Sequence, residues 1–159
     1  MLQAYAAHPD AFTSSAAERS ALSLAGWESR LAVGDAANEV VWGAFLNGAL
    51  AGAAGLSFEP REKARHKATL FGMFVLPMAR GLGFGEQLAE ALLTHARSRP
   101  GVRQVLLTVT QGNAAATGLY TRCGFVPWGV EPQAVAVEGG FVDKVHMVCR
   151  LADRPADNP

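Results

Sequence analysis

Val75-Leu76-Pro77-Met78-Ala79-Arg80-Gly81-Leu82-Gly83-Phe84-Gly85 joins two runs of different periodicity. Before it, Thr69 to Leu76 is short and apolar, and reads as a strand that Pro77 closes. After it, Gly85, Leu88, Ala89, Leu92, Leu93 and Ala96 recur at intervals of three and four. That spacing predicts a helix with one face on a sheet, ended by Pro100-Gly101. A glycine-rich turn between strand and helix suits an anion. The first N–H groups of a helix lack internal partners and carry partial positive charge. Gly81, Gly83 and Gly85 remove side chains that would block approach, and Arg80 adds a cation that can reach phosphate oxygens. A P-loop is excluded, because no Gly-Lys-Ser or Gly-Lys-Thr follows. A Rossmann turn is excluded by Glu86, where glycine is required, and by Thr110-Gln111, where an acid is required. On this stretch alone, a tight turn without a ligand stays open.

Working outward, Arg103 to Thr110 reads as a strand with an apolar middle, and Asn113 starts a short helix carrying Ala116, Leu119, Tyr120 and Cys123 on one face. Gly124 closes it. Phe125 to Trp128 and Gln133 to Val137 read as extended, Glu138-Gly139-Gly140 as a turn, and Phe141 to Leu151 as the last strand. Towards the N-terminus, Asn38 to Leu46 and Ala49 to Phe58 flank Asn47-Gly48, a strong hairpin signal. Val40 to Phe58 has no charge and is long enough to span a membrane, but that central turn favours two buried strands. Leu2 to His8 reads as a helix stopped by Pro9. Ser15-Ala16-Ala17-Glu18 fits a capping box, and predicts a helix that buries Leu24, Trp27 and Leu31 and ends at Gly34. Strands alternating with helices at the centre, and hairpins on both sides, predict an α/β fold: a mixed sheet flanked by helices. Residues 1–151 form one domain, and Ala152 to Pro159 read as a frayed tail.

The glycine stretch resembles the pattern of the GNAT acetyltransferase superfamily, in which Arg or Gln is followed by x-x-Gly-x-Gly. About thirty residues on, Asn113-x-x-Ala116-x-x-Leu119-Tyr120-x-x-x-Gly124-Phe125 is similar to that family's second block. Gly140-Phe141-Val142-Asp143-Lys144-Val145-His146-Met147 resembles the final-strand signature of many bacterial members. The likeness covers roughly Asn38 to Leu151. Members usually begin with a strand ahead of the first helix, whereas Met1 already lies in what reads as that helix. Either the sheet is short of one edge strand, or the start has been assigned downstream of the true one.

The resemblance implies a splayed mixed sheet and direct acetyl transfer from acetyl-CoA to an amine, with no metal. Arg80, Gly81, Leu82, Gly83, Phe84 and Gly85 would hold the pyrophosphate, and Asn113 would contact the cofactor. A backbone N–H on the preceding strand, from Phe74 or Val75, would bind the thioester oxygen, a contribution of about 3 kcal/mol in other systems. Gly72 would ease the splay. Tyr120 matches the usual acid for the leaving thiolate. It is also placed to be a core aromatic beside Ala116. A primary amine is mostly protonated at neutral pH and must lose a proton to attack. The strand before the glycines holds no carboxylate or imidazole, so Glu59 and His66, which flank its approach, are the candidate bases, beside a water path to bulk. The acceptor would be a small-molecule or protein amine, and members are often homodimers. A second reading keeps acyl-CoA binding without efficient catalysis, as a sensor.

Fourteen Lys and Arg balance fourteen Asp and Glu among 159 residues. This neutrality gives no electrostatic case for nucleic acid or an anionic membrane. Cys123 and Cys149 have no metal-ligand spacing and are too few to staple the domain, which suggests a cytoplasmic protein with two small buried hydrophobes. The N-terminus lacks the basic start and apolar core of a signal peptide.

Overall fold

The computed structural model of the chain describes residues 2–28, 31 and 38–151. Three short helices come first: α1 (Leu2–Ala7), α2 (Ala16–Ser20) and α3 (Leu24–Glu28). The hairpin β1 (Glu39–Leu46) and β2 (Ala49–Phe58) follows, then β3 (Lys67–Val75), α4 (Phe84–Ser98), β4 (Gln104–Thr110), α5 (Ala114–Arg122), β5 (Val126–Val137) and β6 (Gly140–Arg150). The six strands form one mixed sheet in the order β1-β2-β3-β4-β6-β5. β1 lies at its edge. All neighbours are antiparallel except β3 and β4.

The hairpin forms as the sequence predicts. Asn47 and Gly48 both have positive φ, 51° and 81°, the conformation a tight two-residue turn requires. Val40 to Phe58 is therefore two strands, and no helix among the described residues is long and apolar enough to cross a membrane. In α4, all six residues of the predicted face are buried. They close the main core with Leu56, Leu70, Val105, Leu107 and Met147 from the sheet. Full burial of each leucine there stabilises the fold by about 1.5–3 kcal/mol.

Two expectations fail locally. The capping box at Ser15 forms, with Ser15 Oγ accepting from Glu18 N–H and Glu18 Oε2 accepting from Ser15 N–H. The helix it starts ends at Ser20, however. Ser23 Oγ accepts from Gly26 N–H at 3.2 Å and starts α3 afresh, a side-chain bond that competes with helix continuation. The register of the single predicted helix is lost, so Leu24 and Leu31 are 73% and 59% exposed and only Trp27 is half-buried. Gly34 and Ala152 to Pro159 lie outside the described residues. In addition, the two predicted extended pieces after Gly124 are one strand. β5 runs through with irregular register, and Gln133 takes φ 52° while its N–H donates to Asp143 Oδ1.

Candidate active site

The site follows from how little of β3 and β4 is paired. Parallel register holds only for Lys67–Gln104, Ala68–Val105 and Thr69–Leu106. Beyond Thr69 the two strands part, and a cleft of about 500 Å³ opens between them. Its walls are Thr69–Met73 from β3 and Leu106–Thr110 from β4, with Asn113 and Tyr120 from the α5 region and Trp128 and His146 from β5 and β6. Gly72 marks the bend. It has φ 63°, and β3 carries one extra residue between Phe71 and Phe74 against β2. A second, apolar groove on the α1 side shares Phe71 and Gly72 with the cleft.

The main chain of β3 is oriented by β2. Leu76 N–H donates to Ala51 O at 2.8 Å, so the peptide groups of Val75, one residue earlier, face away from β2. Arg80 Nε donates to Val75 O from that side at 3.2 Å. Met73, inside the irregular stretch, lines the cleft. Phe74 faces the other way, its carbonyl lying 3.0 Å from where a Cβ on Gly52 would stand.

The glycine turn divides by task. Gly81 and Gly83 have φ 80° and 83°. A Cβ on Gly81 would meet no atom within 4 Å, and one on Gly83 only the tip of Gln87. The turn therefore has open space on its outer side, with the first amides of α4 behind it. Gly85 is different. It is buried, and a Cβ there would lie 2.6 Å from a Leu119 methyl, so its bareness lets α5 approach α4. Its N–H still belongs to the helix start. Leu82 is exposed and Phe84 half-buried. The Arg80 side chain turns back from the glycines. Its Nη2 donates to His8 Nε2 at 3.1 Å and its guanidinium lies 5.7 Å from the Phe74 ring.

Asn113 caps α5, its Oδ1 accepting from Ala116 N–H at 3.0 Å. Two turns on, Tyr120 is buried against Phe125 in an edge-on contact and also lines the cleft. It is thus at once a core aromatic and part of the cleft wall. Burial, with a smaller contribution from Cys123, pushes its phenol well above its ordinary range. It is protonated at neutral pH and able to donate.

The two candidate bases, Glu59 and His66, lie away from the cleft. Glu59 follows β2, with its N–H bonded to Lys67 O, and His66 precedes β3, both at the end where β3 is zipped to β4. Neither lines the cleft. Glu59 accepts from Arg61 N–H, and the His66 carbonyl accepts from the Arg103 and Gln104 amides.

Sequence reading missed the far wall. Lys144 is only 4% exposed, and its ammonium donates to Asp10 O, Ala11 O and Thr110 Oγ1 at 2.9, 3.1 and 2.7 Å. Thr110 Oγ1 donates in turn to Asp10 O. Burial lowers the Lys144 pKa, against a weaker opposing pull from Asp10. Residues 8 to 11 thus form a strap over the seam: His8 is tied to Arg80 beside β3, and Asp10 and Ala11 to β4 and β6. Next to Lys144 on the same face, His146 Nε2 lies 2.8 Å from Glu131 Oε2, with the Trp128 ring 5.2 Å away. The register Thr108–His146 and Thr110–Lys144 was the one signal that could have placed these residues at the cleft. Among the described residues, no three His, Cys, Asp or Glu are placed to hold a metal ion. Both cysteines are buried and free.

A family model described as Acetyltransferase (GNAT) family matches residues 3–125. Mycothiol acetyltransferase of Geodermatophilus obscurus is 49% identical over 55 residues, which are 35% of this chain and 18% of that protein. The L-methionine sulfoximine/L-methionine sulfone acetyltransferase of Pseudomonas aeruginosa is 35% identical over 79 residues, 50% of this chain and 45% of that one. The chain thus spans less than half the length of the curated relatives it matches. Among solved structures, yncA of Salmonella typhimurium with acetyl-CoA superposes with a TM-score of 0.73 at 23% identity, over 98% of this chain and 93% of that one, a likeness of fold.

Proposed function

The chain belongs to the GNAT acetyltransferase family, and from that premise we propose that it transfers an acetyl group from acetyl-CoA to a primary amine of a small molecule or protein, by direct attack within one ternary complex. The observation that carries this reading is the seam between β3 and β4. It offers unpaired main-chain amides, an open glycine turn at a helix start and a protonated phenol around one cleft. The yncA structure, solved with acetyl-CoA on the same fold, supports the choice of cosubstrate. The two curated relatives support an acceptor of small-molecule size.

Acetyl-CoA supplies an acetyl thioester open to attack at its carbonyl carbon. The amides of Gly81, Leu82, Gly83, Phe84 and Gly85 hold the pyrophosphate, with Arg80 at the start of the turn. Asn113 flanks the chain of the cofactor. On β3, the N–H of Val75 is the donor assigned to the carbonyl oxygen, ahead of Phe74. Leu76 N–H bonds to Ala51 O, which turns the peptide groups of Val75 away from β2 and supports that choice. Tyr120 donates its proton to the departing sulfur. The reaction sits in the cytoplasm, where the thiols of Cys123 and Cys149 stay reduced.

The test combines calorimetry with acetyl-CoA and a thiol-release assay over a set of amines, such as L-methionine sulfone, spermidine and a peptide with a free N-terminal alanine. Binding together with release that depends on the amine is expected. Tight binding without turnover on any amine would refute the transferase reading.

A further inference from the structure

The two faces of the sheet carry different chemistry at the cleft. Val105, Leu107 and Val109 of β4, with their register partners Cys149, Met147 and Val145 on β6, pack with Tyr120 against α4 and α5. Leu106, Thr108 and Thr110, with Val148, His146 and Lys144, take the opposite face, since cross-strand partners share a side. The helix start that suits the pyrophosphate and the phenol that meets the leaving sulfur thus lie on one face. His146 lines the cleft from the other. The open seam joins the two. On the face of His146, Ala11, Phe12 and Thr13 line the cleft together with Trp128, so an amine bound there has His146 beside it.

We propose that His146 takes the proton from the acceptor ammonium, and that Glu131 is the residue that positions it; this rests on the acetyltransferase reading. A carboxylate only accepts, so the 2.8 Å contact places the ring proton on Nε2, donating to Glu131 Oε2, and leaves the lone pair on Nδ1. Glu131 does not itself line the cleft, and His146 does. Trp128 packs on the imidazole from β5, and Thr108 faces it from β4. Lys144, the nearest cation on this face of β6, is committed to Asp10, Ala11 and Thr110. The protons balance. His146 Nδ1 takes one from the ammonium, and the freed amine forms its C–N bond at the thioester carbon. The C–S bond breaks, Tyr120 protonates the sulfur and is reprotonated by one of the two protons left on nitrogen, the amide keeps the other, and His146 releases its proton to solvent.

The experiment uses His146→Gln and Glu131→Gln in the full chain. For His146→Gln, kcat/KM for the best amine at pH 7 falls by about 10²–10³-fold. Acetyl-CoA affinity and melting temperature stay at wild-type values. The deficit shrinks as pH rises through the amine's own pKa, where no base is needed, a recovery that a merely structural role would not give. In ring-nitrogen NMR of the free protein, neutral His146 shows an unprotonated Nδ1. Glu131→Gln, whose amide can accept from or donate to Nε2, brings an Nδ1-protonated population into the same spectra and lowers kcat/KM by less than His146→Gln does. Wild-type kcat/KM in His146→Gln, a deficit independent of pH, or a proton on Nδ1 in the wild type each overturns the assignment alone. Absence of amine-dependent release by the wild type removes the transferase reading, and this assignment with it.

Discussion

Placing a carboxylate at the glycine turn tests the phosphate site most directly. Gly83 is the N-cap of α4, with φ 83° and only the Gln87 tip near a built Cβ. Gly83→Asp and Gly83→Asn therefore fit sterically, and both residues tolerate left-handed backbone better than most, at about 1 kcal/mol. The two share that cost, so their melting temperatures stay close to one another. The pair differs in charge alone. A carboxylate roughly 5 Å from a phosphate oxygen, at an effective dielectric of about 20–40, costs about 2–3 kcal/mol per charge pair. The Asp variant should therefore bind acetyl-CoA about 30- to 150-fold more weakly than the Asn variant. Calorimetry at two ionic strengths measures this, and the gap should narrow at high salt. Equal affinities of the Asp and Asn variants, or a gap indifferent to salt, would show that no phosphate lies at this turn.

Tyr120→Phe keeps the edge-on packing against Phe125 and removes the proton donor, so turnover falls by about 10²-fold while acetyl-CoA affinity changes less than about twofold, checked by thiol release and calorimetry. Glu59→Gln and His66→Gln, at the zipped end of β3, leave kcat/KM within about twofold of wild type, since general-base catalysis needs contact with the reacting proton. Lys144→Met strips the donor from two carbonyls and a hydroxyl, and lowers stability by about 2–4 kcal/mol in denaturant melts. The pH dependence has a definite sign. Burial depresses the folded-state pKa of Lys144, so between that value and the ordinary lysine value of about 10.4 the unfolded chain binds the extra proton. Wild-type stability gains with rising pH across that alkaline window, and Lys144→Met loses the gain.

What the sequence disclosed was local. The α4 face, the Asn47-Gly48 turn and the Asn113 cap each depend on spacing or on one residue's conformational preference, and all three formed as read. The helix begun at Ser15 was misjudged because Ser23 offers an equally local alternative, and apolar periodicity through Leu24, Trp27 and Leu31 does not record that competition. Glu59 and His66 were drawn in by nearness in sequence to β3. Which end of β3 opens depends on its register with β4, where each partner lies 37 residues further along the chain, and no pattern within either strand encodes it. The same holds for Lys144 and His146. Alternation puts them on one side of β6, but only pairing with β4 tells that this side faces the cleft.

The strap from His8 to Ala11 has a consequence for the order of assembly. Its contacts with Lys144 close loops of 134 and 133 residues, among the longest a chain of this length can make. Such long-range closures carry the greatest entropic cost and are slow to form. The strap therefore closes over the cleft only once Lys144 of the final strand is in place to bind it.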